Sequence, residues 1–292
     1  MDIKAFKMDG LGNDFVIIDQ RTKNIEFSKK QIIKICDRNF IGCDQLIIIK
    51  KNRELDAGLE FYNSDGSGSG ACGNGTRCVA YLLSKENNNK GPIIICSRGN
   101  KWGEKVLKPG WDILSNNGGL LDAVEKSANI TELDPNDTSV GYGGLPNEDG
   151  IVQLDASIMY GPTHNCGSVG ALEGIKTPCS VARLVMERTD HIHIMGKGAQ
   201  DFAKAHGFKI ENLLTEKSRK IWLRWKENIS SKDDWFPPKN NDYNKKRTTG
   251  TINVLAVDSN NDVAGITTTS GLAYKIPGRV GDSPIIGAGL YV

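Results

Sequence analysis

The stretch "TTGTINVLAVD", residues 248–258, decides how the larger part of this 292-residue chain is read. Apolar residues alternate at Ile252, Val254 and Ala256, with Leu255 and Val257 on the other face, so a buried strand begins at Thr251. Upstream, "SSKDDWFPPKNNDYNKKR" is polar, contains proline and has neither a helical nor an alternating period, so the chain over 230–249 reads as a loop. A threonine hydroxyl is a poor nucleophile until a base takes its proton. Cutting the chain just before Thr251 would free its own α-amine for that role, since an α-amino group titrates near neutrality. Gly250 offers the small preceding residue that such a cut wants, the strand offers a rigid seat, and the loop offers a segment free to move away. An ordinary loop-to-strand turn with glycine at the corner fits the local pattern too, and taken alone it is the commoner case.

Working outward, 37 basic against 35 acidic residues leave no electrostatic footprint for nucleic acid or for a membrane surface. The densest basic stretch, "EKSRKIWLRWKEN" at 216–228, sets Ile221, Trp222 and Trp225 on one side, as an amphipathic helix does. Seven cysteines, an odd number without paired spacing, argue against a disulfide framework and for a reducing compartment. The opening "MDIKAFKMDGLGNDF" lacks a signal-peptide pattern, and no apolar run is long enough to span a bilayer. The expectation is a soluble, cytoplasmic protein.

Two textures divide the chain. Residues 1–90 hold short strands and glycine-rich turns ("FVIID", "QLIIIKK", "GLEFYNSDG"). Residues 91–292 alternate strands with longer helices, among them "GWDILSNNGGLLDAVEKS", "SVARLVMERTDH" and "GAQDFAKAHGF". The polar tract "SKENNNKG" at 84–91 is the expected boundary. In the first segment, glycines cluster before a helical run in "SDGSGSGACGNGTRCVAYLL", which puts Cys72 at a helix N-terminus, where free N–H groups and the helix dipole favour a thiolate. A buried structural cysteine in a tight turn is the plainer alternative.

"KMDGLGNDFVIID", "CDRNFIGCDQLIII", "YNSDG" and "ACGNGTRC" together resemble the amino-terminal half of diaminopimelate epimerase. The resemblance implies cofactor-free racemisation by two opposed thiols, with Cys72 as one of them and Asn13, Asn63, Gly73 and Asn74 contacting substrate. Gly68 departs from the family's glutamate, and "NFIGCDQ" departs from its glycine pattern. The half that bears the partner cysteine in that family has no counterpart here. Cys78 shares a helix with Cys72, more than a turn away, and so cannot reach the opposite face of a substrate.

"LDAVEK", "SVGYGGLPNEDG", "LDASIM", "NCGSVGALEGIKTPCSVARLVMERTDH", "GTINVLAVD" and "TTTSGLAYKIPGRVGDSPIIGAG" resemble the glycosylasparaginase and isoaspartyl peptidase/asparaginase family. That resemblance covers about 91 to the last residue and implies an N-terminal-nucleophile hydrolase that cleaves itself between Gly250 and Thr251. Thr251 is then the nucleophile and Thr269 its hydroxyl partner. Arg279 and Asp282 grip the α-carboxylate and α-ammonium of an aspartyl group, as bidentate guanidinium chemistry suits. The implied substrate is a small β-aspartyl amide, with no cofactor, and the family allows a homodimer. The threonine-glycine pair that supplies oxyanion donors in the family would follow "GDSP" at a point the sequence does not reach, so impaired activity is expected.

The implied architecture is mixed α/β: an incomplete α/β/β/α sandwich preceded by one epimerase-like lobe. The alternatives are an epimerase fragment, or an inactive fusion of two partial genes. His191 and His193, two apart in "DHIHIMG", read as ordinary strand residues rather than metal ligands.

Overall fold

The structure, a computed structural model, describes residues 4–10, 12–52, 57–69, 72–86, 92–98, 100–227 and 250–292. Five strands form a first sheet in chain order: β1 (Ala5–Gly10), β2 (Asn13–Asp19), β3 (Gln45–Lys50), β4 (Gly58–Asn63) and β5 (Gly68–Ser69). All neighbours are antiparallel except β2 and β3. A parallel pair needs a crossover, and α1 (Lys29–Cys36) provides it, opening on a capping box in which Ser28 and Gln31 satisfy each other's backbone N–H. The centres of β2 and β3 are continuously apolar because both faces are covered. Val16, Ile18, Leu46 and Ile48 cluster with Ile32 and Cys36 of α1. On the other face, Phe15, Ile17, Ile47 and Ile49 cluster with Cys78, Val79 and Leu83 of α2 (Gly73–Glu86).

The second sheet has six strands: β6 (Ile93–Cys96), β7 (Gln153–Tyr160), β8 (Asn165–Glu173), β9 (His193–Met195), β10 (Thr251–Val257) and β11 (Val263–Thr269). They lie in the order β6-β10-β11-β7-β8-β9. The expected strand at "TINVLAV" is therefore a central one, and its alternation sorts its two faces. Ile252, Val254 and Ala256 join the main core with residues of α3 (Asn100–Ser115), α4 (Leu120–Glu132) and α5 (Pro178–Arg188). Full burial stabilises by about 1.5–3 kcal/mol for each large apolar side chain among them. Thr251, Asn253, Leu255 and Val257 share the opposite face, where Val257 joins the α2 cluster. From one side to the other the layers run α1, first sheet, α2, second sheet, then α3 to α5 with α6 (Gly196–Ala205), which packs on β8. The mixed α/β class is as expected, and α2 serves as core for both sheets.

Some local expectations change. "GWDILSNNGGLLDAVEKS" is not one helix: α3 ends at Ser115 and α4 starts at Leu120, with Asn117 in the left-handed region at φ 58°. The tract 84–91 begins inside α2, and residues 87–91 lie outside the described residues. Only His193 belongs to a strand; its Nδ1 lies 2.5 Å from Ser168 Oγ, and His191 precedes β9. Among the described residues, no cluster of three metal-ligating side chains occurs and no helix is long and apolar enough to cross a membrane. The amphipathic helix α7 (Glu216–Glu227) buries Trp225, which stacks on Tyr274 with ring centroids 4.4 Å apart. The loop over 230–249 lies outside the described residues; Gly250 and Thr251 lie inside them.

Candidate active site

Gly250 is buried at the entrance to β10. A Cβ there would stand 1.9 Å from Ser139 Oγ and 2.9 Å from the Arg98 guanidinium, so only glycine fits. The obstructing serine is itself fixed. Its Oγ accepts from Arg98 at 2.8 Å and donates to Asp137 at 2.5 Å, while Arg98 and Asp137 pair at 3.1 Å. Ser139 carbonyl accepts the Ser270 N–H at 2.9 Å, tying the same wall to the end of β11.

Register does the next step. Thr251 and Thr269 are direct partners across β10 and β11. Thr269 Oγ1 accepts the Gly271 N–H at 2.9 Å, which turns its own proton toward the Gly250 carbonyl oxygen, 3.3 Å away. The peptide bond between Gly250 and Thr251 therefore carries a donor on its oxygen and a hydroxyl on its following residue. That is the polarity an attack by the Thr251 hydroxyl on the Gly250 carbonyl requires. Behind the strand, Thr268 points the other way and donates to Glu132 Oε1 at 2.7 Å. Glu132 also accepts from Cys179 N–H at 3.1 Å and Asn129 Nδ2 at 2.9 Å. Burial pushes its carboxyl up to about 6, against the pull of those donors.

The loop after β11 is pinned from below. Asp155, fully buried on β7, accepts from the Ala171 N–H at 2.8 Å and the Gly281 N–H at 3.3 Å, with Lys275 Nζ at 4.0 Å. Lys275 donates to the carbonyls of Gln153 at 3.0 Å and Ser270 at 3.2 Å, and burial lowers its ammonium. This braced loop carries Arg279 and Asp282. Both are exposed and form no ion pair among the described residues. They line a cavity of about 160 Å³ together with Gly250, Thr251 and Thr269. The hydrolase-type residues expected from sequence are thus brought together in one place.

Across the gap stands Cys72, just before α2. Its carbonyl accepts from Thr76 N–H and Oγ1, and its Sγ accepts the Gly75 N–H at 3.4 Å. The helix start does not win: burial raises the thiol to about 11, with Cys78 and Asp282 adding to the rise. The thiolate expected at this position is therefore disfavoured. Cys72 lines a second cavity, of about 670 Å³, with Asn13, Asn63 and Asn74, and no other cysteine belongs to its lining. Its opposite wall is Thr251, Asn253, Thr267 and Asp282. Gly73 opens α2 beside these residues.

Sequence reading overlooked Arg98, Asp137 and Ser139 around Gly250, and Asp155 with Lys275 under the loop. Asp155 had a signal, being the one charged residue of its strand. For Arg98 the signal exists only in space.

The asparaginase family model matches residues 98–292 and the diaminopimelate epimerase model matches residues 5–107. The chain is 50% identical over 182 residues to the N(4)-(Beta-N-acetylglucosaminyl)-L-asparaginase of Elizabethkingia miricola, which is 62% of this chain and 51% of that protein. It is 40% identical over 191 residues to the Isoaspartyl peptidase/L-asparaginase of Rattus norvegicus, 64% of this chain and 54% of the relative. With the Diaminopimelate epimerase of Pelagibacter ubique it shares 72% identity over 99 residues, 34% of this chain and 36% of that protein. The chain thus spans about half or less of the length of these relatives. Since the asparaginase model covers more than half of the chain, this protein belongs to the asparaginase family, with a diaminopimelate epimerase-like segment whose match overlaps the start of the asparaginase match.

Proposed function

We propose that the protein is an amidohydrolase of β-aspartyl amides that first cleaves itself between Gly250 and Thr251. The observation that carries this reading is the Thr269 hydroxyl aimed at the Gly250 carbonyl beside Thr251. In the first step, Thr251 Oγ adds to the Gly250 carbonyl carbon while Thr269 steadies the oxygen. The peptide C–N bond then breaks, and the nitrogen leaves as the Thr251 α-amine. Water hydrolyses the resulting ester. The freed amine can next take the Thr251 hydroxyl proton, and the same oxygen attacks a substrate's side-chain carbonyl. Arg279 and Asp282 hold the α-carboxylate and α-ammonium, and release of the amine leaves an aspartyl ester for water.

Within this reading residues 1–90 and 91–292 act as two units, the cell compartment is the cytoplasm, and the family's homodimer is the working form. Epimerisation is the weaker alternative, because the chamber that holds Cys72 contains no opposing thiol among its lining residues.

The test is a time course of purified protein by intact mass spectrometry, followed by assay of aspartate release from L-asparagine. A fragment beginning at Thr251 and a matching rise in activity are expected. A chain that stays whole in folded material defeats the proposal.

A further inference from the structure

The two cavities meet at Thr251 and Asp282, which line both. The smaller, on the Arg279 side, encloses only about 160 Å³. A substrate seated there with its side-chain carbonyl at Thr251 must send its amine half the other way, into the chamber of about 670 Å³. Much of that chamber's wall comes from the epimerase-like segment.

The wall has a definite polarity. Among the described residues, its charged lining side chains are Asp44, Asp65 and Asp282, with no lysine or arginine. Asp44 is met by Arg38 at 2.6 Å and Asp65 by the Ser67 N–H at 2.8 Å, whereas Asp282 has no ion-pair partner among the described residues. Carboxamides of Asn13, Gln45 and Asn63 add further polar surface. Asn74 Oδ1 and Asn253 Oδ1 are buried acceptors without a hydrogen-bond partner among the described residues, in side chains 4% and 1% exposed. Unfilled buried acceptors call for donors, and carboxylates repel a third party's carboxylate.

Resting on the hydrolase reading above, we infer that the epimerase-like segment forms the pocket for the amine half of the substrate and selects amines that donate hydrogen bonds and bear no negative charge. A fragment of a racemase thereby acts as the specificity wall of a hydrolase.

Matched substrates test this: L-asparagine, β-aspartylglycine and β-aspartylglycinamide, the last two differing only in one terminal charge. The glycinamide should show a kcat/KM at least about tenfold above that of the acid. Asp65→Asn, at an exposed turn, should narrow that ratio. Asn63→Ala should lower kcat/KM for the glycinamide relative to that for asparagine. If asparagine is hydrolysed but the acid equals or exceeds the glycinamide, or neither variant moves its ratio, the inference falls and the hydrolase reading stands. If none of the three substrates is hydrolysed, both fall.

Discussion

Around Thr251 the second sheet gathers a hydroxyl partner, a glycine that nothing else can replace, and a braced loop whose Arg279 and Asp282 form no ion pair among the described residues. Around Cys72 the first sheet gathers carboxamides and a helix start, but burial holds the thiol protonated and no second thiol faces it. The two residues look into the same chamber. The difference teaches that a reactive side chain becomes a reagent through the groups placed against it. A helix N-terminus stabilises an anion by about 0.3–1 kcal/mol at an exposed site, which the desolvation of a largely covered thiol outweighs here.

The comparison can be broken most severely at Thr251 itself. Thr251→Ala should leave the chain whole by intact mass and lower aspartate release by roughly a thousandfold or more, the scale on which nucleophile removal acts. An equally active variant would move the chemistry elsewhere. Next in size, Thr269→Val removes the hydroxyl that bonds the Gly250 carbonyl, and the rate of fragment appearance should fall by about 10²–10³-fold, with Thr269→Ser partly restoring it.

Gly250→Ala sharpens the claim that the site is prebuilt. With Ser139 Oγ 1.9 Å from the added carbon, overpacking should destabilise the fold by about 1–3 kcal/mol in denaturant titrations. Unchanged stability would mean that the Arg98–Asp137–Ser139 wall gives way freely.

The smallest effect concerns the scaffold behind the strand. Glu132 is fully buried, and its carboxyl is raised from the ordinary carboxylate range to about 6. A raised pKa means that the folded state holds the proton more tightly. This contribution to stability is therefore present below the unfolded value and is lost as pH rises through about 6. It amounts to about 2 kcal/mol. Unfolding free energies measured across that window should show the slope in the native protein and a flatter profile in Glu132→Gln.

Much of the frame was legible beforehand. The alternation from Ile252 to Val257 marked a strand buried on both faces, and the glycine cluster before Cys72 marked the start of α2. Repeated polar residues with glycine hid the break between α3 and α4, because a run of turn-formers inside helical sequence does not say where the chain reverses. The candidate residues Thr251, Thr269, Arg279 and Asp282 were singled out through motif resemblance, and the structure draws them around one cavity. Their supports were not found: Ser139 meets Gly250, and Asp155 meets Gly281, from distant parts of the chain.

The sequence by itself determined the strand from Thr251, the start of α2 and the small residue before Thr251, since periodicity and turn chemistry act between near neighbours. Only the tertiary structure decided that Gly250 has no space for a side chain, that the Cys72 thiol is raised by its surroundings, and that Thr251 and Cys72 share a chamber. Those outcomes depend on which distant side chains occupy the same volume, and exclusion and desolvation are properties of that volume.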